Sequence, residues 1–258
     1  MKHRIWEAAL VLVATAALIW AQGRGGPAGP PPPARQAAPF DPTGYWVSII
    51  VDEWRFRVTP QKGDIPYLPI NADARRVAMA WDPDKDFADG NQCKAYGAVG
   101  AMQRPGRIQI SWQDDNTLKV EFDAGTQTRI LHFGGNQGPS GPPTWQGYSV
   151  AQWQTVPRPR GTQQTPAGMP AGPGGGTLKI TTTNMMPGYI RKNGVPYSEK
   201  AVLTEFINRL KGAESDDYLV VTAEVEDSTY LNQPFVRTYQ FKKQADNKGW
   251  NPTPCLPR

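Results

Sequence analysis

Apolar and polar residues alternate with period two along most of the chain beyond residue 40. Ile108, Ile110 and Trp112 alternate with polar neighbours, Asp114-Asp115-Asn116 marks a turn, and Leu118, Val120 and Phe122 alternate back. Such a period places one set of side chains on each face of a strand. Residues 126–133 put Gln127, Arg129, Leu131 and Phe133 on one face and Thr126, Thr128, Ile130 and His132 on the other. Further strands are expected at 145–153, 177–184, 218–226 and 235–242. Segment 41–58 reads as the opening strand, with Trp54, Phe56 and Val58 on one face and Arg55 and Arg57 on the other. Consecutive strands with short turns predict a mainly β fold, an antiparallel meander closing into a barrel.

Two stretches depart from this period. At 72–81, Asn71 is a good N-cap, Ala74, Val77, Ala78 and Trp81 share a helical stripe, and Asp82-Pro83 ends it, which predicts one short helix. Residues 201–210 fit two patterns. Val202, Leu203, Phe206, Ile207 and Leu210 suit a helix, while Leu203, Glu205 and Ile207 opposite Val202, Thr204 and Phe206 suit a strand. The β-rich segments beyond it favour the strand.

The start of the chain carries an address. Lys2 and Arg4 precede an uncharged, mostly apolar run at 8–20, and Ala21 offers a small residue for cleavage, so 1–21 reads as a signal peptide. The expected location is periplasmic or secreted. The run is short for a membrane-spanning helix, so no stable span is expected after cleavage. Residues 22–40, rich in Gly and Pro, read as a linker. Residues 41–258 read as one domain carrying a flexible Pro/Gly loop at 155–176, with a two-domain split there as the alternative. A net charge of +5 from singly scattered Lys and Arg does not make the clustered stripe that nucleic acid requires. Cys93 and Cys255 form an even count, which in an oxidising compartment invites a disulfide worth about 5 kcal/mol by loop-closure entropy. Two free thiols are the alternative.

Several stretches resemble a family of uncharacterised exported bacterial proteins. They include Asp41-Pro42-Thr43-Gly44-Tyr45-Trp46-Val47-Ser48, Trp112-Gln113-Asp114-Asp115-Asn116-Thr117-Leu118-Lys119 and Ala124-Gly125-Thr126-Gln127-Thr128-Arg129. That resemblance implies export and no particular activity. Gly44-Tyr45-Trp46 also resembles the Gly-x-Trp of lipocalin-like barrels, which implies that Arg237, on a late strand, packs over the Trp.

Candidate chemistry is sparse. His132 is the sole His outside the leader and could act as a general base, or sit on a strand face bonded to its neighbours. A multi-His metal site is thereby excluded within one chain, and no metal or cofactor is expected. Asp114 and Asp115 fall at a turn, where backbone geometry accounts for them. Glu205 lies between apolar residues and, if it faces a barrel interior, needs Arg55, Arg57, Arg191 or Arg237 as partner. No nucleophile elbow, Walker loop or dinucleotide fingerprint occurs. The leading expectation is a small-molecule-binding barrel for a partly apolar or anionic ligand, lined by Trp54, Arg55, Arg57, Trp112, His132, Glu205 and Arg237. The alternatives are a barrel enzyme using His132 or Glu205 as acid/base, and an interaction module without a ligand. Oligomeric state is not legible.

Overall fold

The computed structural model describes residues 30–58, 60–134, 138–155 and 175–256. The alternating segments become β1 (Gly44–Ile49), β2 (Arg107–Asp114), β3 (Thr117–Phe122), β4 (Gln127–Phe133), β5 (Tyr148–Thr155) and β6 (Gly176–Thr183). After them come a short hairpin, β7 (Gly188–Arg191) and β8 (Val195–Tyr197), and then β9 (Val202–Lys211), β10 (Asp217–Glu226) and β11 (Phe235–Gln244). Nine of these strands close a barrel in the order β1-β11-β10-β9-β6-β5-β4-β3-β2, with β2 pairing back onto β1. The ambiguous segment at 201–210 is strand β9. It takes the strand because only that period carries Leu203, Glu205 and Ile207 to the interior together.

Nine strands cannot close with every neighbour antiparallel, since alternating directions need an even number. The barrel resolves this with one parallel pair, β4 against β5, in the register Leu131 to Ser149 and Phe133 to Ala151. A parallel pair needs a long return. Here β4 ends at Phe133 and β5 does not begin until Tyr148. The meander is otherwise antiparallel throughout.

Most inward positions are apolar, and they are closed to water. Trp46, Leu118, Leu131, Leu178, Ile180, Leu203, Leu219 and Phe241 are at most 1% exposed. Burying a side chain of this kind is worth roughly 1.5–3 kcal/mol. Trp46 donates its indole N–H to the Pro42 carbonyl at 3.0 Å, so the one polar atom of that ring is satisfied. The cation over its ring is Lys243, its β11 register partner, at 5.1 Å. Arg237, expected there, lies near the start of β11 and bonds Glu53 instead.

The two ends of the barrel are closed differently. One is covered by residues 33–41, where α1 (Ala34–Ala37) buries Ala34. Its backbone is pinned by Asn116 Oδ1 on the Ala34 N–H (2.9 Å), and its carbonyl accepts from the Trp153 indole (2.8 Å). The expected linker at 22–40 therefore ends sooner, because Phe40 finds an aromatic partner in Trp153 at 5.3 Å. The other end carries α2 (Trp54–Val58), α3 (Ala72–Ala80), α4 (Pro83–Ala88), α5 (Ala98–Ala101) and the β7–β8 hairpin. Helix α3 is the expected one, capped by Asn71 Oδ1 on the Ala74 N–H at 2.9 Å.

Helix α2 corrects the reading of 41–58 as one long strand. β1 stops at Ile49, and Glu53 takes a left-handed φ of 49°, which breaks extended geometry. Its carbonyl then accepts from the N–H groups of Phe56 and Arg57, opening a helical turn. In five residues, apolar groups at 54, 56 and 58 also contain an i,i+4 pair, so the period was not decisive. Cys93 and Cys255 form a disulfide across 162 residues with Cα atoms 5.1 Å apart, tying the chain's end to the helical side. The expected leader at 1–21 and most of the loop at 155–176 lie outside the described residues.

Candidate functional site

Buried arginines collect at the helical end of the barrel. Helix α5 is built from Ala98, Val99, Gly100 and Ala101, all buried, and small residues let it seat closely. The chain leaves it through Gln103 and Arg104, which are 3% and 5% exposed. Gln103 is the hub of the cluster. Its side-chain amide donates to the carbonyls of Ile190 (2.6 Å) and Val99 (3.3 Å), and its own backbone carbonyl accepts from Arg57 Nε at 3.2 Å. Arg57 thus bonds Gln103 directly, Arg104 and Arg191 follow Gln103 and Ile190 in sequence, and the charges of Arg57 and Arg191 both act on Arg104.

Negative charge is short here. Glu53 bridges two guanidiniums, one oxygen on Arg191 Nη2 at 3.1 Å and the other on Arg237 Nε at 2.8 Å. Among the described residues the Arg57 side chain bonds only carbonyls, those of Gln103 and Ile49, and its guanidinium lies 5.2 Å from the Tyr239 ring centroid. Arg191 lies 4.3 Å from the Phe56 ring centroid. Tyr239 supplies no countercharge, since burial raises its pKa and keeps the phenol neutral. The Arg104 side chain has neither ion pair nor hydrogen bond among the described residues, and its buried Nε and Nη2 are both unpartnered. One nitrogen each of Arg57 and Arg191 is unpartnered too.

These surroundings shift the charges. Burial lowers the pKa of Arg104 to about 10, with the Arg57 and Arg191 charges adding to the effect, and burial likewise lowers Arg57 and Arg191. Arg104 remains charged at neutral pH. An uncompensated buried charge costs several kcal/mol, a large part of the roughly 5–15 kcal/mol that holds a domain folded.

A second buried ion pair shows the balanced case. Arg129 on β4 and Glu205 on β9, both about 1% exposed, meet inside the barrel at 2.5 Å. Ser149 Oγ accepts from Arg129 Nε at 3.1 Å, and Thr182 Oγ1 accepts from its Nη2 at 2.6 Å. Glu205 thus faces the interior as expected, but its partner is Arg129 and none of the four arginines expected for it. Alternation placed Arg129 on one face with Leu131 and Phe133, and that face is the inner one.

The sequence-derived site residues divide into separate places. Arg57 and Arg237 belong to the arginine cluster. Trp54 and Arg55 sit on the same helix but point outward, Trp54 65% exposed and Arg55 paired with Asp64 at 2.7 Å. Trp112 lies at the opposite end, in an aromatic chain with Phe133 (5.6 Å) and Trp153, beside an open groove of about 480 Å³ bordered by Arg35, Phe40 and Asp41. His132 is half-buried on the outer face of β4, stacked on Tyr148 at 5.0 Å. His132 and Glu205 are on opposite sides of the barrel wall and do not converge. Among the described residues, no three of His, Cys, Asp and Glu gather as a metal site.

Arg104, Gln103 and Glu53 were not picked out from sequence. Gln103 and Arg104 come after a run of small apolar residues, and a polar pair there reads as a solvated turn. Comparison with protein-family models, with curated proteins and with solved structures finds no match to this chain.

Proposed function

We propose that this chain is an exported small-molecule-binding β-barrel whose ligand presents an anionic group to the arginines at the helical end. One observation carries the reading: the Arg104 guanidinium is buried and charged, yet has no carboxylate and no hydrogen-bond partner among the described residues. A folded protein tolerates such a group at a cost, and binding sites are where that cost has a return. Glu53 and Arg237, each about a quarter exposed, form the solvent edge of the cluster. The rings of Phe56 and Tyr239 offer apolar surface beside the charges. Export is supported by the Cys93–Cys255 disulfide, a bond that persists in oxidising compartments.

Native mass spectrometry of the protein isolated from the exported fraction of its host tests this reading. Wild-type protein is expected to carry a small anionic mass that is lost on mild denaturation, and R104M to emerge without it. A bare wild-type mass, or the same cargo retained by R104M, overturns the proposal.

A further inference from the structure

The orphaned nitrogens of the cluster define more than a positive charge. In arginine, Nε and Nη2 point the same way and form the side-on fork that grips two oxygens of one anion. Arg209 shows the fork filled: its Nε lies 2.9 and 3.0 Å from the two Asp217 oxygens while its Nη2 also bonds that carboxylate. In Arg104 the same two atoms are buried and unpartnered. Arg57 Nη2 and Arg191 Nη1, on the two guanidiniums whose charges act on Arg104, are unpartnered as well among the described residues.

These four nitrogens belong to three guanidinium planes. A planar carboxylate fills one fork and neutralises one charge. A tetrahedral oxyanion spreads its oxygens in several directions, and as a dianion it answers the charges of both Arg57 and Arg104, which have no carboxylate bonded to them among the described residues. Resting on the anion-binding reading above, we infer that the cluster is a site for a phosphate dianion, free or as the phosphate end of a monoester, seated on the Arg104 fork.

Calorimetric titration of the full chain at fixed chloride ionic strength, in a buffer free of oxyanions, tests this with orthophosphate, phenyl phosphate and benzoate. One saturable site is expected for the phosphates, with benzoate at least tenfold weaker. R104M and, separately, R57M should weaken phosphate binding at least tenfold. R104K, which keeps the charge and loses the fork, should recover little of it. Orthophosphate binding as tightly as the ester or tighter identifies the free ion, and a preference for phenyl phosphate identifies the monoester. Benzoate equal to or tighter than phosphate overturns the oxyanion class and leaves the anion site standing. No binding of any of the three to wild type, or unchanged binding in a folded R104M, overturns both.

Discussion

Arg129 and Arg104 are both buried guanidiniums with nitrogens unpartnered among the described residues, Nη1 in the first and Nε and Nη2 in the second, and they differ in charge balance. Arg129 meets Glu205 and two hydroxyls, whereas Arg104 has Arg57 and Arg191 for charged neighbours. Breaking one side of a buried pair leaves the other charge uncompensated, so E205Q should destabilise the barrel by about 3–5 kcal/mol in urea unfolding. R129M/E205L removes both charges and should recover most of that loss. For Arg104 the sign reverses. Because R104M deletes a charge that no described residue balances, its melting temperature in oxyanion-free buffer should equal or exceed that of wild type. Glu205 was legible in the sequence as an inward carboxylate because its apolar neighbours on β9 share its face. Its partner was knowable from the same alternation on β4. Arg104 was not legible, since burial of a turn residue depends on the helices folded over it.

At the scale of elements, both ends of the barrel make predictions. Residues 33–41 cover one mouth, and the Trp153 indole bonds Ala34 beneath them. Deleting 33–40 should expose Trp153 and red-shift the tryptophan emission without unfolding the barrel. At the other end the disulfide holds the tail beside Gly125, whose φ of +80° and close fit against Tyr96 leave no room for a side chain. Reduction should lower stability by about 2–5 kcal/mol and raise hydrogen exchange around residues 93–96 and 253–256 first. Strands and turns were readable here because period two persists over six or more residues. Helix α2 was not, because five residues span little more than one turn and the deciding feature is the left-handed Glu53 backbone. Covering of the barrel mouth by 34–40 was equally hidden, since a Gly/Pro-rich approach says nothing of where Phe40 docks.

For the whole molecule, barrel closure follows from alternation and short turns, and both are written in the sequence. The parallel β4–β5 pair is a consequence of strand number, which no single segment reveals. Acid stability is also a property of the whole. Asp217, gripped by Arg209 and Lys211, has its pKa lowered to about 2 from 3.8. A depressed folded value means the carboxylate stabilises the fold fully above about pH 4–5. That contribution is lost as pH falls through 3.8 towards 2. D217N should cost on the order of 1 kcal/mol at neutral pH and flatten the decline in stability below about pH 4.

The most direct measurement is a crystal structure of the protein grown without oxyanions and soaked in selenate, a tetrahedral dianion with an anomalous scatterer. The account predicts an anomalous peak bridging Arg104 Nε and Nη2, with Arg57 or Arg191 on a further oxygen. Selenium found only elsewhere, with ordered water filling the Arg104 fork, would contradict it.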